Sequence, residues 1–175
     1  MTTEQYLYDT EETNRIRELA MGVIREPAPS VSHQNVVLRL AMFLGLHNEA
    51  NKVGQVLVAP VDVVLDVQKN LILQPDILVV RAERLSIVKD QVWGAPDLVI
   101  EVLSPSTAHY DRSEKFGWYR QYGVREYWLV DSIAREITIH DFTAGLPMQH
   151  TVRGMQRVSS TVVPDFRLRV VTLIR

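Results

Sequence analysis

The chain has 175 residues, 46% of them hydrophobic and 23% charged, enough for one domain with a real core. Its formal charge of -2 gives no general support to nucleic-acid binding, and the absence of cysteine excludes disulfides, thiolate metal sites and a cysteine nucleophile. No apolar run reaches membrane-spanning length, the polar N-terminus does not read as a secretory signal, and a reducing cytoplasm is the expected compartment.

Charge is uneven along the chain. Glu4, Asp9, Glu11, Glu12 and Glu18 crowd the N-terminal stretch, and Arg153, Arg157, Arg167, Arg169 and Arg175 the last quarter. The basic quarter reads as a solvated face or a local basic surface. No repeat, low-complexity block or long linker interrupts residues 1–175, so a single domain is expected.

In chain order, residues up to about Ala20 read as a lead-in helix. Pro27 and Pro29 then mark a turn or extended loop. Ser32 is placed to cap a helix from about His33 to Asn51, with Val36, Val37, Leu40, Phe43 and Leu44 on its core face. Gly54 closes the connection. The period then shortens: "QVLVAPVDVVLDV" reads as a strand, bent around Pro60, and "QKN" as a turn. "LILQPDILVV" and "PDLVIEVLS" read as a second and a third strand. "DRSEKFGWYRQYG" reads as a helix from about Tyr110 to Tyr122, ended by Gly123. Two more strands come at "REYWLVD" and "EITIHDF", with short strands near "RVSSTVV" and "RLRVVTL". This order predicts an α/β (α+β) domain with a central mixed sheet flanked by helices.

Glu101 interrupts the apolar run Leu98 to Leu103. Such runs are strands buried on both faces, where an unpaired carboxylate costs several kcal/mol, roughly, or takes up a proton. Asp76 opens the preceding strand after Pro75. If the two strands pair, the carboxylates converge and need a cation between them. A hard divalent ion such as Mg²⁺ fits, since it is held by one or two carboxylates and keeps several waters. The alternative for Glu101 is a buried ion pair with Lys115. For Asp76 it is bonding to nearby backbone N–H groups. Asp111, Lys115 and Tyr119 stand i, i+4, i+8 along one helix stripe, which either brings Lys115 to the site or leaves it in a surface pair with Asp111.

"QPDILVV", "GAPDLVIEVLSPST", "DRSEK" and "YGVREYWLVD" together resemble a bacterial branch of the PD-(D/E)XK nuclease superfamily, a restriction-endonuclease-like family first defined as a domain of unknown function. "PSVSHQNVV" looks like its first helix, and the resemblance spans about Ala20 to Asp141. It implies the restriction-endonuclease-like fold and Mg²⁺ or Mn²⁺ held by Asp76, Glu101 and the carbonyl of Val102. The implied reaction is hydrolysis of DNA phosphodiester bonds. Leu103 occupies the place of the superfamily lysine, so that role carries to Lys115. A homodimer would suit the cutting of two antiparallel strands. The rival reading keeps the fold as a catalytically inactive nucleic-acid- or protein-binding module, which Leu103 and the acidic balance favour.

Other residues have plainer readings. Asp97 reads first as a surface strand start, Asp62 as an edge residue of the first strand, and His33 as a surface residue at a helix start that could reach substrate or metal. Ser104, Ser106 and Thr107 lack the glycine elbow of a serine hydrolase and read as the exit from a strand. Trp118, Tyr119, Tyr122, Tyr127 and Trp128 read as packing between helix and sheet.

Overall fold

A computed structural model describes residues 1–8, 16–143 and 148–174. Asp9, Glu11, Glu12 and Arg175 lie outside the described residues. In chain order the elements are helix α1 (Thr3–Leu7), strands β1 (Glu18–Ala20) and β2 (Val23–Arg25), helix α2 (Val31–Asn51), and strands β3 (Gly54–Val58), β4 (Val63–Asp66), β5 (Leu71–Leu73) and β6 (Ile77–Arg81). A 3₁₀ turn (Ala82–Ile87), β7 (Val92–Trp93) and β8 (Leu98–Val102) come next. Helix α3 (Ala108–Tyr110) runs through a π-helical turn (Asp111–Lys115) into α4 (Phe116–Tyr122). The chain continues with β9 (Glu126–Asp131), β10 (Glu136–Asp141), β11 (Met148–Arg153) and α5 (Val170–Leu173).

The strands form two mixed sheets rather than one. The order is β2-β1-β5-β4-β7 in one and β11-β10-β9-β8-β6-β3 in the other. Prolines account for the division. "QVLVAPVDVVLDV" splits around Pro60 into β3 and β4, and "LILQPDILVV" splits around Pro75 into β5 and β6, each half joining a different sheet. Proline has no N–H to give a ladder, so the chain changes sheet there. Asp76 therefore sits where the chain passes between the two sheets.

Side chains alternate across β8. Leu98, Ile100 and Val102 join the core under α2 and α5, with Val36, Leu40, Leu44 and Trp128. Val99 and Leu103 face the opposite layer, with Tyr119, Tyr127 and Leu129. Glu101 shares this second face, which is the face the helix carrying Lys115 covers.

Three further expectations change. The lead-in helix stops at Leu7, and Glu18–Ala20 is a strand because Leu19 is fully buried and pairs with Ile72. Ser30, not Ser32, caps α2, its hydroxyl accepting the His33 N–H at 3.2 Å. "RLRVVTL" forms a single bridge, Arg157 to Arg169, and then turns helical as α5, burying Val170 and Leu173 against the core; packing overrides β propensity here. Among the described residues no helix is long and apolar enough to cross a membrane.

Candidate active site

The antiparallel register of β6 and β8 pairs Ile77 with Ile100, so one further residue brings Asp76 opposite Glu101. Both carboxylates are buried and line one pocket with Val102. Asp76 Oδ2 accepts the Val102 N–H at 2.8 Å and meets His33 Nε2, near the start of α2, at 3.1 Å. Glu101 Oε1 accepts from Lys115 Nζ at 2.8 Å and from the Tyr119 hydroxyl at 3.0 Å.

Lys115 reaches the pocket because the π-helical turn and α4 lie over the Glu101 face of the sheet. Single-turn π segments are frequent at functional sites. This one holds both Asp111 and Lys115 inward, their charged atoms 3.6 Å apart, while Arg112, Ser113 and Glu114 are exposed. A further acid completes the set: Glu18 Oε1 contacts Lys115 Nζ at 2.8 Å and accepts the Gln74 N–H at 3.0 Å. Glu18 escapes sequence reasoning because it stands among other acids in a three-residue strand, too short for any period to reveal it.

The pocket is rich in acid. Glu18, Asp76, Glu101 and Asp111 surround one lysine and one histidine, all of them lining it. Burial, and then the charges of Asp111, Asp76 and Glu18, hold the Glu101 carboxyl well above its usual range, against the opposing pull of Lys115. Burial likewise raises Asp111. For Lys115, burial disfavours the charge, but Glu101, Glu18 and Asp111 outweigh it and the ammonium stays protonated. His33 behaves the same way: burial opposes its charge, and the bond to Asp76 and the Val102 carbonyl raise its pKa above the usual 6.5.

This donor set fits a hard cation. Bonds from Val102, His33, Lys115 and Tyr119 occupy Asp76 Oδ2 and Glu101 Oε1; Oδ1 and Oε2 accept no hydrogen bond among the described residues. The pocket that both residues line measures about 40 Å³, room for an ion and a few waters. Among the described residues no three His, Asp or Glu side chains converge as a ready-made metal cluster. Two carboxylates, a backbone carbonyl and water are the ligands on offer, a set that Mg²⁺ tolerates.

The remaining candidates lie apart. Asp97 is not a surface residue: it is fully buried at the start of β8, accepting the Arg81 N–H at 2.9 Å and the Arg84 guanidinium at 3.0 Å. Asp62 accepts from the Tyr6 hydroxyl and the Gln74 amide at 3.0 and 2.8 Å. Ser104, Ser106 and Thr107 bond among themselves on the pocket rim. Tyr119 and Tyr127 are core, as expected, but Tyr119 also positions Glu101.

Known proteins are similar to this chain in structure or in sequence. A crystal structure titled as a putative nuclease belonging to DUF820, from Anabaena variabilis, superposes with a TM-score of 0.83 at 16% identity, covering 99% of this chain and 97% of that one. An uncharacterized protein of Synechocystis sp., sll1609, is 26% identical over 140 residues, 78% of each chain. A family model described as "Putative restriction endonuclease" matches residues 3–171. The pocket of paired strand carboxylates and a helix lysine thus lies in a chain that belongs to this family, Uma2.

Proposed function

We propose that the protein is a metal-dependent endonuclease that hydrolyses phosphodiester bonds of DNA. The observation that carries the reading is the convergence of Asp76, Glu101 and Lys115 on one pocket in which acids outnumber cations. Asp76, Glu101 and the Val102 carbonyl would hold Mg²⁺ or Mn²⁺, which supplies Lewis acidity to a phosphate oxygen and lowers the pKa of bound water. Tyr119 fixes the rotamer of Glu101 through its hydroxyl. The Val102 N–H and His33 hold Asp76. Lys115, kept charged by its carboxylates, orients the attacking water and stabilises charge on the phosphate. Cytoplasmic DNA is the substrate in this reading and a two-fold dimer the cutting form; sedimentation as a monomer on duplex DNA would remove the dimer alone.

One observation favours a module that binds without cutting: the Lys115 ammonium already contacts two carboxylates, Glu18 and Glu101. Calorimetric titration of Mn²⁺, paired with a plasmid-nicking assay, separates the two. Saturable binding and nicking, both lost in Glu101→Gln and Asp76→Asn, support the enzyme. Metal and DNA binding without nicking support the module. An absence of Mn²⁺ binding, with and without DNA, removes the nuclease mechanism and leaves Glu101 as an ion-pair partner of Lys115.

A further inference from the structure

Of the acids that line the pocket among the described residues, Glu18 alone comes from the five-stranded sheet. It stands on β1, 1% exposed, and Lys115 Nζ reaches it at 2.8 Å, the same distance as to Glu101 on the six-stranded sheet. Lys115 thus bridges the two sheets, with one carboxylate on either side.

Glu18 is firmly held. Its Oε1 accepts the Gln74 N–H at 3.0 Å. The Gln74 side chain in turn accepts the Arg17 N–H at 2.9 Å and donates to Asp62 at 2.8 Å. Leu19, next in the chain, is fully buried and paired with Ile72. A carboxylate fixed in this way loses little further rotamer freedom when it holds a cation. Gln74 lies two residues before Asp76, so one stretch of chain places both Glu18 and a carboxylate of the proposed metal site.

The two partners of Lys115 cannot have the same duty. Glu101 cannot serve the ammonium and a divalent ion equally, because the two cations repel each other. Asp111 is a poor substitute. It lies 3.6 Å from the ammonium, four residues back on the same helical segment, so it moves with Lys115 and gives it no fixed point on the sheets. Glu18 has no such conflict, since its contacts are to Lys115 and to the backbone of Gln74.

We infer that Glu18 is a positioning residue: it keeps the Lys115 ammonium at the pocket while Glu101 is committed to the metal. The inference rests on the nuclease reading and deepens it. Glu18 touches no reacting atom and acts through Lys115 alone.

The test compares wild type, Glu18→Gln, Lys115→Met and the double variant. Three quantities are measured: the rate of plasmid nicking at saturating Mn²⁺, the number of Mn²⁺ ions bound by calorimetry, and the ¹⁵N ammonium resonance of Lys115 in saturating Mg²⁺, identified by its loss in Lys115→Met. Lys115→Met should slow nicking about 100- to 1,000-fold. Glu18→Gln should slow it about 10- to 150-fold, the worth of one charge-assisted hydrogen bond. The double variant should match Lys115→Met within about 2-fold, because residues that act as a unit are not additive. Glu18→Gln should bind as many Mn²⁺ ions as wild type, and the Lys115 resonance should persist in Mg²⁺ for wild type and vanish for Glu18→Gln. Should Glu18→Gln fail to fold, Glu18→Asp, which withdraws the carboxylate by one methylene, takes its place in every comparison. Wild-type nicking by the Glu18 variant, losses that multiply in the double variant, a lower Mn²⁺ count, or a wild-type Lys115 resonance abolished by Mg²⁺ each overturn the assignment and spare the nuclease. A wild type that binds no Mn²⁺ or leaves DNA uncut refutes both.

Discussion

Lys115 is the point at which the candidate site can be broken most informatively. Its ammonium contacts Glu18 and Glu101 at 2.8 Å and Asp111 at 3.6 Å, and all four side chains are at most 6% exposed. Lys115→Met keeps the volume of the stem and removes only the charge, so packing changes little. Taking one partner from a buried ion set costs about 3–5 kcal/mol, because the remaining charges stay desolvated. In a chain of this size that is a fall in Tm of about 6–20 °C. The loss depends on pH with a definite sign. Glu101 has a raised pKa in the fold, so the native state binds the extra proton. Its contribution is fullest below the ordinary value of 4.5 and is lost as pH rises through the folded value. Without Lys115 the pKa values of Glu101 and Asp111 rise further, since the lysine lowers both. The variant should therefore lose more stability near pH 8 than near pH 5, and Mn²⁺ should return part of it by binding the folded state. Differential scanning calorimetry in chelator and then in Mn²⁺ reads all three effects. A Tm within about 2 °C of wild type at pH 8 in chelator would refute the argument that this lysine neutralises buried acids.

Two other outcomes follow, one from the same pocket and one from the β3 edge of its sheet. His33 has a raised folded pKa, so it stabilises the protein below about pH 6.5 and this contribution fades as pH rises through the folded value. His33→Asn should therefore lower Tm more near pH 5.5 than near pH 8.5, and an equal fall at both would show that Asp76 does not bind a charged imidazole. At Gly54 an added Cβ would lie 2.0 Å from the Val80 carbonyl oxygen and 2.7 Å from the Arg81 Cα, backbone atoms that cannot yield without parting β3 from β6. Gly54→Ala should cost more than about 3 kcal/mol by urea denaturation, and an unchanged midpoint would mean the edge strand shifts freely.

The two Pro-Asp pairs show how far the sequence could be read. Both Asp76 and Asp97 come after a proline at a strand start, and nothing local distinguishes them. Their fates differ because β6 and β8 are antiparallel. The start of β6 meets the end of β8, next to Glu101, whereas the start of β8 is four residues away, about 13 Å along the strand. Glu101 itself was legible, since a lone acid in an apolar run demands a partner whatever the topology. Lys115 was legible only as one residue of a stripe; whether the stripe faced the sheet depended on docking that no local pattern encodes. Glu18 and Gln74 were not legible at all. Their roles come from β1 joining β5, a contact more than fifty residues long in sequence. The division into two sheets is half visible, since Pro60 marks a bend in an alternating run while Pro75 marks by itself only a strand start.

The π-helical turn has a consequence for how this gene can change. Substitutions at Arg112, Ser113 and Glu114 alter solvent-facing positions and should be tolerated. A single-residue deletion there would close the wide turn to ordinary winding and leave α4 in register, because a π-turn carries one extra residue, whereas an insertion would swing α4 by about 100°, one residue's share of a turn. Tyr119, whose hydroxyl holds Glu101, lies on α4 and would then rotate off its partner. The segment between Glu101 and Tyr119 should thus vary by substitution or by loss of one residue and resist insertions.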